Sequence, residues 1–231
     1  MFFGASLSWN DILFMLNGAV TTIAITLASV AIGTSLGVLF GLARAGSPWW
    51  VSWPVGGVLD VFRSVPLLIQ LVLFNSFNSM LRLHWPTYLV ACVCLGIYAA
   101  AFCTEIVRSG VTAVPTTTRR AARSLGLTWF QEVVAITLPM ATRIVFPSWI
   151  GLALGVMKDT ALVLWIGIVE LLRSSQIVTT RVQEPLLVLS IAGLIYFLMS
   201  FPIARLGAQL EKRWQIQIGR ASCRERVLMP V

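Results

Sequence analysis

The sequence predicts an all-α membrane protein with five transmembrane helices. Three observations carry that prediction. The 231 residues are 58% hydrophobic and 11% charged, with a mean hydropathy of +0.86, whereas a soluble domain carries about 25% charged residues. The apolar residues form long continuous runs rather than alternating ones, as helical spans do and barrel strands do not. The basic residues gather at the ends of those runs, so the net charge of +8 reads as membrane topology and not as a nucleic-acid surface.

Residues 1–16 read as an extracytoplasmic segment. Residues 1–11 hold no Lys or Arg, so the charged start of a signal peptide is lacking there. The first span is predicted over Asn17–Ala43. Its Gly33, Gly37 and Gly41 lie on one helix face and predict a close seam with a neighbouring span. A turn over Arg44–Trp53 follows, with Trp49, Trp50 and Trp53 suited to the headgroup belt.

The second span is predicted over Pro54–Met80. Pro66 and Gln70 are costly in lipid, which points them to protein or a cavity. After a turn at Leu81–Pro86, the third span covers Thr87–Val107. Near its end Glu105 and Arg108 stand at i, i+3 and can pair. The fourth span covers Ile144–Val169, with Gly151 and Gly155 as another close-packing face. Inside it stand Lys158, Asp159 and Thr160. Charge there is a functional signal by default. Adjacent helix positions point about 100° apart, so Lys158 and Asp159 are expected to have separate partners, one of them substrate or a cavity wall. Glu170–Glu184 reads as an outer loop, and the fifth span as Pro185–Ala204.

Ile218–Val227 reads I-G-R-A-S-C-R-E-R-V, which resembles the translation of a common sequencing adapter. The native protein is therefore expected to end or diverge near Gln217, with residues 17–217 as the five-span domain and 218–231 as a foreign tail. Without that tail, 14 Lys and Arg remain against eight Asp and Glu.

The polar stretch Pro115–Pro139 interrupts the apolar runs. Thr118 can cap a short helix. Arg119–Leu125 then supply about 10 Å of it. Gly126 can take the left-handed conformation that ends it. Thr128 and Gln131 have capping-box spacing for a second helix, which Pro139 is expected to break or kink. The chain contains no G-x-x-x-x-G-K-[ST] phosphate loop, so energy from ATP would have to come from a partner.

Ala121, Ala122, Gly126, Ile136, Leu138 and Pro139 together resemble the EAA loop of permease subunits in ATP-binding-cassette importers. Where the family has its leading Glu, this sequence has Arg120. The stretch Phe62, Arg63, Pro66, Leu67, Leu68, Gln70, Leu71 is similar to F-R-G-T-P-L-L-V-Q-L of polar amino-acid permeases of the histidine/glutamine/arginine type. Around Glu105 the sequence resembles A-Y-x-A-E-I-x-R-G-G, and at Lys158–Leu162 it resembles K-x-T-S-L. The resemblance implies the type I importer permease fold, with a cytoplasmic coupling helix that carries Arg120, Ala121, Ala122, Gly126, Leu138 and Pro139. It implies a substrate path bordered by Gln70, Glu105, Lys158, Asp159 and Thr160. It further implies separate ATPase subunits holding ATP and Mg2+, a second permease copy or paralogue, and an extracytoplasmic amino-acid-binding protein. No cofactor or metal is expected in this chain.

Charge gives the orientation. With the N-terminus outside, ten of the 14 basic residues fall on inner segments (Arg44, Arg63, Arg108, Arg119, Arg120, Arg123, Arg143, Arg205, Lys212, Arg213) and three on outer ones (Arg82, Arg173, Arg181). That asymmetry places the Pro115–Pro139 loop in the cytoplasm. The contrasting reading is a membrane scaffold or an ATPase-independent carrier. A carrier calls for inverted repeats with broken helices, and a scaffold has no need of Lys158 and Asp159 within a span.

Overall fold

The computed structural model describes residues 6–227, and the side chains of all of these except Val51 and 215–227. The described residues form helices and turns only: α1 (Trp9–Gly46), α2 (Trp49–Ser64), α3 (Leu67–Met80), α4 (Thr87–Thr112), α5 (Thr116–Ser124), α6 (Trp129–Glu132), α7 (Leu138–Asp159), α8 (Leu171–Val182) and α9 (Pro185–Val227). Four helical stretches are long and apolar enough to cross a membrane: α1, α4, Trp129–Ile166 and α9. The bent pair α2–α3 supplies a fifth crossing if it counts as one.

α4 is the central helix. Of its most apolar stretch 61% is buried, against 11–22% in the other three, which turn Val20, Leu27, Leu39, Leu186 and Leu198 outward. Lipid is as apolar as these side chains, so close packing and polar contacts must hold the helices together. The glycine seam provides the packing. A β-carbon added at Gly33, Gly37 or Gly41 would lie 2.6, 2.4 and 2.7 Å from the β-carbons of Ala99, Cys103 and Val107 on α4. Two four-residue rows thus mesh along the α1–α4 contact. The second predicted glycine face is different: a β-carbon on Gly151 or Gly155 would meet nothing within 4 Å, so that face stays open within the chain.

The span boundaries need correction. α1 starts at Trp9 rather than Asn17, because Ser8 and Asp11 form a capping box in which the Ser8 amide donates to Asp11 Oδ2 at 2.8 Å. Its 38 residues reach about 57 Å, beyond a hydrocarbon core of about 30 Å. Within the predicted N-terminal segment, residues 1–5 lie outside the described residues.

The second span is not one helix: α2 and α3 meet at 101°. Pro66 has no N–H to continue α2 and pushes Val65 out of the helical region. Val65 is extended, at φ −81° and ψ 130°. Pro54, expected to open the span, lies inside α2.

Pro139 does not break its helix. The turn Val133–Thr137 is π-helical, and the wider turn carries the chain from α6 into α7 with Pro139 in the first turn of α7, where its missing donor costs nothing. Beyond Asp159 the same helix tightens to a 3-10 turn over Thr160–Ile166 and stops at Gly167, φ +89°. The predicted outer loop Glu170–Glu184 is mostly the helix α8. Leu171, Val178 and Val182 of α8 pack with Met15 and Ala19 of α1 and Val188 and Ala192 of α9. Of the predicted tail, residues 218–227 continue α9, and 228–231 lie outside the described residues.

Candidate functional site

The polar stretch Pro115–Pro139 folds as a rigid elbow. α5 begins at Thr116, so Thr118 stands within the helix, and Pro115 occupies the cap position expected of Thr118. The end of α5 matches the expectation. Gly126 has φ +88°. Its amide donates to Arg123 O at 3.0 Å, and the Leu127 amide donates to Ala122 O at 3.3 Å. These two bonds are the Schellman arrangement, which satisfies carbonyls the helix end would otherwise orphan. One residue later Thr128 caps α6. The Thr128 amide donates to Gln131 Oε1 at 2.9 Å, and the Gln131 amide donates back to Thr128 Oγ1 at 3.4 Å. A cap on each side of Leu127 fixes the angle between the two helices.

A buried carboxylate locks the elbow. Glu132 is fully buried. It accepts from Arg119 Nε at 3.2 Å, from Arg123 Nη2 at 3.3 Å and from the Thr137 hydroxyl. Arg119 and Arg123 lie one turn apart on α5, so both reach the same acid across the turn. Thr137 is five residues beyond Glu132, and the π turn brings it alongside. Sequence reasoning missed Glu132. The signal available was the pair of arginines four apart, with an acid just past the glycine turn.

The remaining residues expected to serve coupling divide. Ala122 is buried within the chain, so of the two alanines only Ala121 is open to a partner. Arg120 and Pro139 are exposed and Leu138 is half-buried. Leu138 borders a cavity of about 540 Å³ that separates the end of α1, at Leu42 and Ala45, from Trp129 and Val133.

Among the described residues, no hydrogen bond or ion pair joins one predicted path residue to another. Gln70 is buried, and its amide nitrogen donates to Phe62 O at 2.7 Å and Val65 O at 2.8 Å. It thereby satisfies carbonyls freed by the Pro66 break, which gives it a structural task the sequence reading did not assign. Glu105 pairs with Arg108 as expected, through Nε at 2.9 Å. Its other oxygen takes Arg44 of α1 at 3.0 Å. Beside it opens a cavity of about 390 Å³ bordered by Arg63, Phe102, Ser109 and Ser148, with the Arg63 guanidinium 5.3 Å from the Phe102 ring centre.

Lys158 is exposed, Asp159 half-buried and Thr160 buried, at the point where α7 tightens to the 3-10 turn. Lys158 and Asp159 make no ion pair or hydrogen bond among the described residues, while the Thr160 hydroxyl donates to Met157 O at 2.7 Å. The 3-10 turn packs on the other discontinuity: Val163 and Ile168 share a cluster with Leu67 and Leu71 of α3.

A second buried acid escaped the sequence reading. Glu170 caps α8, accepting from the amides of Leu172 at 2.8 Å and Arg173 at 2.7 Å. Tyr196 and Thr22 complete its shell at 3.1 and 3.4 Å. It ties α8 to α1 and α9.

Residues 33–216 match the family model described as binding-protein-dependent transport system inner membrane component. The chain belongs to that family. Similar members of this permease family include the glutamate/aspartate import permease protein GltK of Escherichia coli, 28% identical over 89% of this chain and 97% of that protein. The histidine/lysine/arginine/ornithine transport system permease protein HisM of Salmonella typhimurium is 27% identical over 90% and 93%. Among solved structures, an amino acid ABC transporter superposes with a TM-score of 0.80 at 25% identity, covering 90% of this permease and 99% of that chain. The inward-facing MetNI methionine transporter shares the fold, with a TM-score of 0.75 at 20% identity over 88% and 99%. The all-α permease fold is therefore established.

Proposed function

We propose that this permease is the transmembrane subunit of an ATP-driven importer that moves a polar amino acid across the bacterial cytoplasmic membrane. The observation that carries the reading is the doubly capped elbow at α5–α6. It is locked from behind by Glu132 and open in front at Arg120 and Ala121. A rigid, outward-facing element at the end of a membrane helix is suited to receive motion from a second protein. The amino-acid substrate is supported by the glutamate/aspartate and histidine/lysine/arginine/ornithine permeases named above.

On this reading the elbow is cytoplasmic, the N-terminus is outside, and the elbow docks a separate ATPase that holds ATP and Mg2+. A second permease, a copy or a paralogue, completes the path. An extracytoplasmic binding protein delivers substrate to the side where α8 lies. An amino acid is a zwitterion and needs one partner of each sign. Asp159 and Lys158, at the change of helix type and without a hydrogen bond or ion pair among the described residues, are the candidate contacts, with Thr160 beside them. Glu105 holds the inner end through Arg44 and Arg108.

The test is affinity purification of the tagged chain from native membranes, with mass spectrometry of what accompanies it, followed by uptake in vesicles loaded with ATP. An ATPase and a second permease at stoichiometric level, with uptake that depends on ATP, is the expected result. Recovery of this chain alone under gentle detergent would overturn it in favour of a scaffold or carrier.

A further inference from the structure

The open face of α5 has a defined chemistry. Thr117, Arg120, Ala121, Ser124 and Leu125 are all exposed and lie on one side of the helix by their three- and four-residue spacing. Leu125, at the helix end, is 82% exposed. Arg119 and Arg123 are turned toward Glu132. The Arg120 guanidinium has no ion-pair or hydrogen-bond partner among the described residues. It borders a recess of about 220 Å³ together with Thr116, Arg119 and Arg123. Arg119 and Arg123 share the one internal carboxylate and Arg120 has none, which leaves two positive charges in excess. Arg120 is the fifth residue of α5, past the first turn, so the helix dipole does not oppose a cation there.

We propose that this face seats an acidic side chain of the partner ATPase, with an aspartate or glutamate entering the recess at Arg120 and Leu125 filling an adjoining apolar cleft. The proposal rests on the importer reading above. An all-apolar cleft would strip water from Arg120 without replacing it, which is strongly unfavourable. A basic cleft would repel it. A carboxylate satisfies the guanidinium through two parallel N–H bonds. The small Ala121 and Ser124 let the partner backbone come close.

The test uses the full-length chain with its native ATPase, in nanodiscs of phosphatidylcholine so that no anionic headgroup competes. Arg120→Glu is expected to weaken ATPase binding at least about tenfold, whereas Arg120→Lys stays within about threefold. Binding should also fall with rising salt in the parent and lose that dependence in Arg120→Ala. The chain has two lysines, Lys158 and Lys212, neither in the elbow. In Arg120→Lys, a carbodiimide should therefore join the introduced amine to an ATPase carboxylate as an amide, the carbodiimide taking up the lost water and leaving as a urea. Equal ATPase binding by Arg120→Glu and parent, with no such cross-link, would overturn the proposal while the importer reading stands. An effect of Arg120→Glu confined to vesicles containing phosphatidylglycerol would assign the recess to a lipid headgroup and overturn it as well. If the parent chain binds no ATPase at all, both readings fall together.

Discussion

Arg119 Nε and Glu132 Oε1 meet at 3.2 Å across the turn that ends α5. The contact fastens two helices that sequence alone joins only through Leu125, Gly126, Leu127 and Thr128. Arg123 reaches the other oxygen of the same acid, so the elbow is held at its hinge and at its back.

Glu132→Ala removes that hold. The two arginines are partly exposed and regain water, so the loss is about 1–3 kcal/mol rather than the larger figure for a fully buried broken pair. Thermal unfolding in detergent should show a lowered midpoint. Substrate-stimulated ATP hydrolysis by the assembled complex should fall further than stability does, because the elbow angle is lost first. Unchanged stimulation with a lowered midpoint would make Glu132 purely structural.

Gly126 at φ +88° has no neighbour that an added β-carbon would strike within 4 Å, so substitution there is penalised by the backbone alone. Gly126→Ala costs about 1–2 kcal/mol and Gly126→Asn less. Gly126→Trp also places bulk on the open face and should abolish coupling of ATP hydrolysis to uptake. Parental uptake by Gly126→Trp would remove Gly126 from the coupling role.

How much of this was legible in the sequence depends on the range of the interaction. The Gly126 turn and the Thr128–Gln131 cap are bonds across three to five residues, and the residue types specify them. The α1–α4 seam was legible as a glycine row, but its partner row of Ala99, Cys103 and Val107 carries no mark in an ordinary apolar helix. Pro66 was legible as costly in lipid, within a span read as unbroken; the 101° bend also needs Gln70 to cover the freed carbonyls, and that depends on how the chain turns back. Glu132 and Glu170 look like surface acids in sequence. Their burial follows from donors supplied by other elements, Arg119 and Arg123 in one case, Thr22 and Tyr196 in the other. α8 was read as a loop because its polar residues outnumber its apolar ones, although Leu171, Val178 and Val182 already fall on one face.

The α1–α4 seam yields a packing prediction. Gly37→Ala would place a β-carbon 2.4 Å from Cys103 Cβ, and overpacking of this kind costs about 1–3 kcal/mol. The clash is with the β-carbon itself, so Cys103→Ala should not relieve it and Cys103→Gly should. Detergent unfolding of the two double variants distinguishes them; equal recovery by both would mean that the helices separate rather than mesh.

Gln70 separates a structural from a transport role. Gln70→Leu leaves Phe62 O and Val65 O without their donor, at about 1–3 kcal/mol. Its midpoint should drop while the uptake KM of the surviving protein holds. A raised KM at an unchanged midpoint would return Gln70 to the substrate path.

Asp159 is expected to behave in the opposite way. Among the described residues it has no ion pair or hydrogen bond to lose, and Asn keeps its shape without its charge, so Asp159→Asn should not lower the unfolding midpoint. If Asp159 receives the cationic group of the substrate, loss of its charge forfeits an interaction of about 1.5–3 kcal/mol, roughly a tenfold to hundredfold fall in substrate affinity. Lys158→Met should act on the substrate carboxylate in the same sense. Uptake measured against substrate concentration for both variants, beside their unfolding midpoints, checks the pair. A midpoint that falls while KM stays constant would place the two charges in the packing of the helix rather than on the path.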